Sequence, residues 1–187
     1  DISKLDYLNE KIASLAGVIQ WLKELRMPDE TLIDEVCQCL GVDWQAFLSE
    51  QQPYLTTYQI QQMHAEGFTI GAHTKSHRKL VTLNETEIEE EIVDSCGVIQ
   101  QLTGQEIVPF SFPNSAFGVD RGLLFSIRVQ NPMVGLLFDT KGIRKDENFI
   151  VNRVWAEHPL TPERRLHPLP EILHNAYQEA WVEGVMD

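Results

Sequence analysis

Two of the chain's six histidines stand four residues apart in the segment "GFTIGAHTKSHRKL", residues 67–80. Neutral imidazole nitrogens are favoured ligands for zinc and similar divalent ions, so one turn carrying both rings can chelate one ion. His73 and His77 are therefore candidate metal ligands. Thr74 and Ser76 offer hydroxyls beside them, and Gly71 permits a close backbone approach. The pair follows an expected short strand, "FTIGA", and strand ends are where α/β proteins collect their sites.

The elements that must position this pair are legible around it. "TTYQIQQMHAEG" predicts a helix with a Thr cap and a Gly stop. "LNETEIEEEIVDSCGVIQQLTG" predicts a longer helix, with Asn84 as N-cap and Glu87 three residues on. Ile88, Ile92, Cys96 and Ile99 form its buried face. Its glutamates 85, 89, 90 and 91 read as a solvated helix start matched to the macrodipole, not as a cation site. "EIVPFSFP", "MVGLLFD" and "FIVNRVWA" read as strands, "VDRGLLFSIRV" as a helix, and "PLPEILHNAYQEAWVEGV" as a closing amphipathic helix. Alternation of this kind predicts an α/β layering with mostly parallel strands. Residues 1–53 instead read as three helices, the first striped by Leu5, Leu8, Ile12, Leu15, Ile19 and Leu22. The expected organisation is a helical arm or insertion over 1–53 and an α/β domain over 54–187. The arm offers a surface for homo-oligomerisation.

Composition narrows the function. With 43% hydrophobic residues, the 187-residue chain can build a core without disulfides or metals as staples. A net charge of −13 repels a phosphate backbone, which argues against nucleic-acid and anionic-membrane partners and leaves neutral or cationic substrates, including sugars with free amines. No apolar run is long enough to span a bilayer. Cys37, Cys39 and Cys96 are odd in number, and Cys37 and Cys39 point to different faces of a helix. Free buried thiols in a reducing compartment, hence a cytoplasmic location, are expected.

"EGFTIGAHTKSHRKLVTLNETEIEEEI" resembles the second signature of the polysaccharide deacetylase family, the NodB-homology carbohydrate esterases: a Gly-rich strand, H-[ST]-x-x-H, a leucine and a Glu-rich helix. Here these are His73-Thr74-Lys75-Ser76-His77, then Leu80 and the helix beginning near Asn84. "FSFP" (110–113) resembles the third signature, and the resemblance covers about residues 54–155. It implies a distorted, here incomplete, (β/α) barrel and a metal-dependent hydrolase that removes N- or O-acetyl groups from a carbohydrate. Zinc or another divalent ion would be held by His73 and His77, and the backbone N–H of Phe112 would stabilise the tetrahedral oxyanion. The family's late histidine matches His158 best by position, ahead of His167 and His174. Arg153 resembles an arginine that ends a late strand and approaches the site.

The sequence also departs from the family's pattern. The first signature, T-F-D-D-G, supplies a metal-binding aspartate and the general base, and no Asp-Asp occurs anywhere in this chain. The expected account is that residues 1–53 separate the second motif from a first strand lying upstream of Asp1. Ser111 stands where some members carry an arginine, and Asn114-Ser115 replaces Tyr-Gly, with Gly118 slightly later. Asp139, ending a strand, is a candidate replacement ligand, with a turn or capping role as its plainer reading. Two readings besides an active hydrolase follow: an inactive deacetylase-like domain that binds carbohydrate or a protein, and an α/β module in which the His pair is incidental.

Overall fold

A computed structural model describes residues 15–25, 30–154 and 168–184, and the chain divides into two units, Asp1–Leu55 and Thr56–Asp187. The first unit holds three helices, α1 (Leu15–Glu24), α2 (Glu30–Leu40) and α3 (Trp44–Gln51). Asp43 caps α3 by accepting the Ala46 N–H at 3.0 Å. Trp44 and Phe47 pack edge to face on α3, both exposed. The stripe expected from Leu5 to Leu22 lies mainly outside the described residues.

In the second unit the elements run α4 (Thr57–Ala65), α5 (Glu85–Thr103), β1 (Val108–Ser111), α6 (Arg121–Gln130), β2 (Val134–Asp139), β3 (Ile150–Asn152) and α7 (Leu169–Val182). Capping fixes the two helices that flank the His segment. Thr56 and Gln59 form a capping box at α4, as Asn84 and Glu87 do at α5, each box satisfying two backbone N–H groups that the helix start leaves over. Gly104 ends α5 in the left-handed region at φ 75°.

The three strands are parallel in the order β1-β2-β3, with Phe110 opposite Leu137 and Leu137 opposite Ile150. Val108 and Phe110 point inward, while Pro109 and Ser111 on the other face are only half-buried. Helix α5 packs on β1 and β2, and α6 on β2. Ile88, Ile92 and Cys96 of α5 meet Phe110, Leu124 and Leu137 in one apolar cluster, each side chain there contributing about 1.5–3 kcal/mol by leaving water. The expected buried face of α5 is therefore present. Burial pushes the Cys96 thiol up to about 12, so it packs as a small apolar group and stays protonated.

Two expectations are revised. "FTIGA" does not form a strand: Ala72 makes a single parallel bridge to Phe110. The Ala72 N–H donates to the Pro109 carbonyl and its own carbonyl accepts from the Ser111 N–H, both at 2.8 Å. Two residues earlier, the Gln105 carboxamide takes the place of a strand, accepting the Ile70 N–H and donating to the Ile70 carbonyl at 2.9 Å each. Nor do the described residues close a barrel; they form a mixed α/β fold around a small parallel sheet. No helix among them is long and apolar enough to cross a membrane.

Gly71 has the close neighbour its type suggested, since a Cβ there would stand 3.0 Å from the Pro109 carbonyl oxygen. Gly118 is more constrained still. Its φ is 83°, and a Cβ would lie 2.9 Å from a methyl of Val81. Left-handed strain costs about 1–2 kcal/mol and overpacking about 1–3 kcal/mol, so Gly118→Ala is expected to lower stability by about 2–5 kcal/mol in urea unfolding. An unchanged midpoint would mean the loop simply relaxes.

Candidate functional site

The carboxyl ends of the parallel strands converge on one open pocket of about 500 Å³. His73 lines it, with Ser111 to Asn114 after β1, Thr140 after β2, and Arg153 and Val154 after β3. Ligand sites of open parallel sheets lie at this end because the loops that leave it are free to vary while the strands hold them.

His73 is oriented from behind. Its Nδ1 lies 2.7 Å from the Ser111 carbonyl oxygen, which can only accept, so Nδ1 is the donor and Nε2 is the nitrogen that carries the lone pair in the neutral ring. His77 stands beside it, the ring centroids 5.1 Å apart. The turn that joins them is strained: Thr74 and His77 both have positive φ, 63° and 58°. Non-glycine residues hold such angles only where surrounding bonds over-determine them, and these positions cluster at functional sites. Part of that hold is local. The Thr74 hydroxyl donates to the His73 carbonyl at 2.6 Å and accepts the His77 N–H at 3.0 Å.

The rest comes from α5. Glu91 is 3% exposed, and its carboxylate accepts the N–H groups of Lys75 and Ser76, at 2.8 and 2.9 Å. It also accepts from the Ser76 hydroxyl and, at 3.1 Å, from Arg78 Nη2. Burial opposes the charge, but the Ser76 and Lys75 donors and Arg78 outweigh it and hold the carboxyl down at about 2, from an ordinary 4.5. The reading of residues 85–91 as wholly solvated is thus corrected at Glu91. The signal was in the period: Glu91 lies three residues after Ile88, next to Ile92 and four before Ser95, on the face that Ile88, Ile92 and Cys96 bury.

The sign of the pH effect follows. A carboxyl held below its unfolded value stabilises the fold fully above about pH 4.5, and that contribution fades as pH falls toward 2. Wild type should therefore exceed Glu91→Gln in stability at pH 7 by about 1.5–3 kcal/mol, as for a hydrogen-bonded charge, with the gap closing by pH 2. A gap independent of pH would put the effect in packing instead.

The sequence candidates among the described residues each have a definite place. Arg153 is brought to the pocket, its Nε 3.3 Å from the Asp139 carbonyl oxygen. Phe112 is 1% exposed, and its N–H donates to the Phe138 carbonyl at 3.0 Å. That donor belongs to the β1–β2 ladder and is not free for an oxyanion in this conformation; the Asn114 N–H, two residues on in the pocket loop, is not spent in that way. His158 and His167 lie outside the described residues, and His174 is exposed on α7, off the pocket wall. Asp139 is fully buried and is not among the residues that line the pocket. Its Oδ1 accepts the N–H groups of Ala116 and Thr140 at 3.1 and 2.7 Å, and Oδ2 lies 3.5 Å from the Ser115 hydroxyl. It therefore fixes the pocket loop, the plainer of its two roles. Among the described residues, no group of three or more His, Cys, Asp and Glu side chains stands together as a metal cage.

The pocket loop is pinned from its far side as well. Arg121 pairs with Asp146 through two contacts of 3.0 and 2.9 Å and donates to the carbonyls of Ala116 and Val119. Sequence inspection singled out neither residue, because Arg121 and Asp146 are 25 positions apart and nothing local marks the pair.

A braced turn thus puts His73 on the wall of a strand-end pocket and His77 beside it, off the lining residues. Residues 33–123 match the family model of the polysaccharide deacetylases, a little under half of the chain. Over that segment the chain is similar to the polysaccharide deacetylases. The matched segment contains most of α2 and all of α3 as well as His73, His77, Glu91 and Phe112, and it ends before Asp139 and Arg153. No curated protein and no solved structure matches the chain.

Proposed function

We propose that this protein is a divalent-metal-dependent hydrolase that removes N- or O-acetyl groups from a carbohydrate, with His73 and His77 as two of the metal's ligands. One observation carries the reading: the Nδ1–H of His73 is given to the Ser111 carbonyl, leaving Nε2 free at the pocket with a second imidazole beside it. Ligating histidines characteristically donate their other N–H to a carbonyl or carboxylate in this way, which fixes the tautomer and the ring plane. The donor set, two neutral imidazoles, suits zinc. A bound divalent ion would supply Lewis-acid polarisation of the acetyl carbonyl and a bound water of lowered pKa. The chain's own groups then have distinct tasks. Arg153 and Thr140 line the same pocket as His73 and would hold sugar oxygens, and the Asn114 N–H, in the loop after β1, would serve as the oxyanion donor. A chain charged −13 also suits a product that is a cationic amino sugar, as N-deacetylation yields.

The test is acetate release from acetylated chito-oligosaccharides with zinc added or chelated. Release that needs zinc and is lost in both His73→Ala and His77→Ala supports the hydrolase. A second reading, a deacetylase-like domain that binds carbohydrate without cleaving it, is favoured by the lack of a third metal-ligating side chain among the described residues. Saturable oligosaccharide binding with no acetate released would decide for it.

A further inference from the structure

The groups that make the His73–His77 turn are mostly not in the turn. Within it, the only side-chain bonds are the two through the Thr74 hydroxyl. The Lys75 and Ser76 N–H groups both point out of the turn at α5, where one carboxylate oxygen of Glu91 receives them. The other Glu91 oxygen takes the Ser76 hydroxyl and Arg78 Nη2. Arg78, just past His77, closes the circuit: its Nε donates to the Ser76 hydroxyl at 3.0 Å and its Nη1 to Glu87 at 3.1 Å. The Lys75 ammonium takes no part, being paired with Asp94 at 2.9 Å. A buried side chain on a core helix thus accepts four donors from the few residues at and just after the two imidazoles.

We infer that Glu91 is a positioning residue for the His pair: through Lys75, Ser76 and Arg78 it holds Thr74 and His77 in their left-handed conformations and so sets the spacing at which both rings can face one ion. The inference rests on the metal reading above. Glu91 itself reaches no substrate, since it is buried and off the pocket wall. Its effect is preorganisation, which spares the ion the cost of ordering the turn. A glutamine in its place keeps the size but turns one of the two acceptor oxygens into a donor, against groups that all donate.

The experiment is a zinc titration of the 187-residue chain by competition with a chromophoric chelator, with amide hydrogen exchange read at residues 74–77. Glu91→Gln should weaken zinc about 10–100-fold, the usual loss for a supporting partner, and speed exchange in the turn while the rest of α5 stays protected. Glu87→Gln, whose one remaining oxygen can keep the capping box while the exposed Arg78 contact is given up, should change affinity less than about 3-fold. Should Glu91→Gln not fold, Ser76→Ala carries the test from the exposed side of the same contact, with a loss of at least about 3-fold expected on the same ground. Wild-type affinity in Glu91→Gln, or in Ser76→Ala where that variant stands in, overturns the positioning role and leaves the metal reading intact. No zinc binding by the wild type overturns the metal reading, and this inference with it.

Discussion

His77→Gly is expected to unfold no earlier than wild type, yet to lose zinc affinity by at least about 100-fold, beyond what a merely supporting residue typically contributes. The two halves of this result have separate causes. His77 is exposed and holds φ at 58°, where a side chain costs about 1–2 kcal/mol. Glycine relieves that strain, while its extra freedom in the unfolded chain costs back about 0.5–1 kcal/mol, so stability stays level or rises slightly. The imidazole is gone, however, and with it half of the candidate chelate. A residue kept in a strained conformation that glycine would satisfy better marks a position chosen for its side chain. His73→Ala should lose zinc equally and fall in stability by about 1 kcal/mol, for the bond to the Ser111 carbonyl. Calorimetry and zinc titration on the same samples check both. His77→Gly binding zinc as tightly as wild type would make the histidine incidental.

Asp139→Ala is expected to show the opposite pattern, a large loss of stability with zinc affinity unchanged. The side chain is completely buried, and one oxygen serves both the Ala116 and the Thr140 N–H. Removing it strands two donors at about 1–3 kcal/mol each, so a total of about 3 kcal/mol is expected in urea unfolding. Asp139→Asn keeps an acceptor in place, and its amide N–H can donate to the Ser115 hydroxyl, so it should cost only about 1 kcal/mol. Zinc binding should follow neither variant. If Asp139→Asn instead abolishes zinc binding while the fold stands, Asp139 is the third ligand and the pocket loop must reopen to expose it.

Much of the architecture was legible because it is local. The start of α5 is written in Asn84 and Glu87 and its end in Gly104, and the structure places all three as caps. The His turn was legible as a motif. What supports it was not, for two reasons. Glu91 sits in a run of glutamates, and a run reads as one solvated face, whereas the helical period singles out this member as inward-facing. The "FTIGA" segment has strand composition, but strand pairing is decided by what lies alongside. There the Gln105 side chain, 35 residues away, occupies the bonds of Ile70 that a strand would have used. Phe112 shows the same limit at single-atom scale: sequence places the residue beside the site but cannot say that its N–H is spent on Phe138. Arg153, by contrast, was singled out by its likeness to a family arginine that ends a late strand, and parallel topology, which sends every such end to one side, puts it on the pocket wall.

Whether His73 and His77 bind one divalent ion together can be read from their imidazole nitrogens by NMR during a zinc titration. Nε2 of His73 should shift at one equivalent, a ring nitrogen of His77 should move in step, and the His73 Nδ1 proton to Ser111 should stay in place throughout. Nitrogen resonances of the two rings that do not move, or that move at different zinc concentrations, would contradict a shared ion.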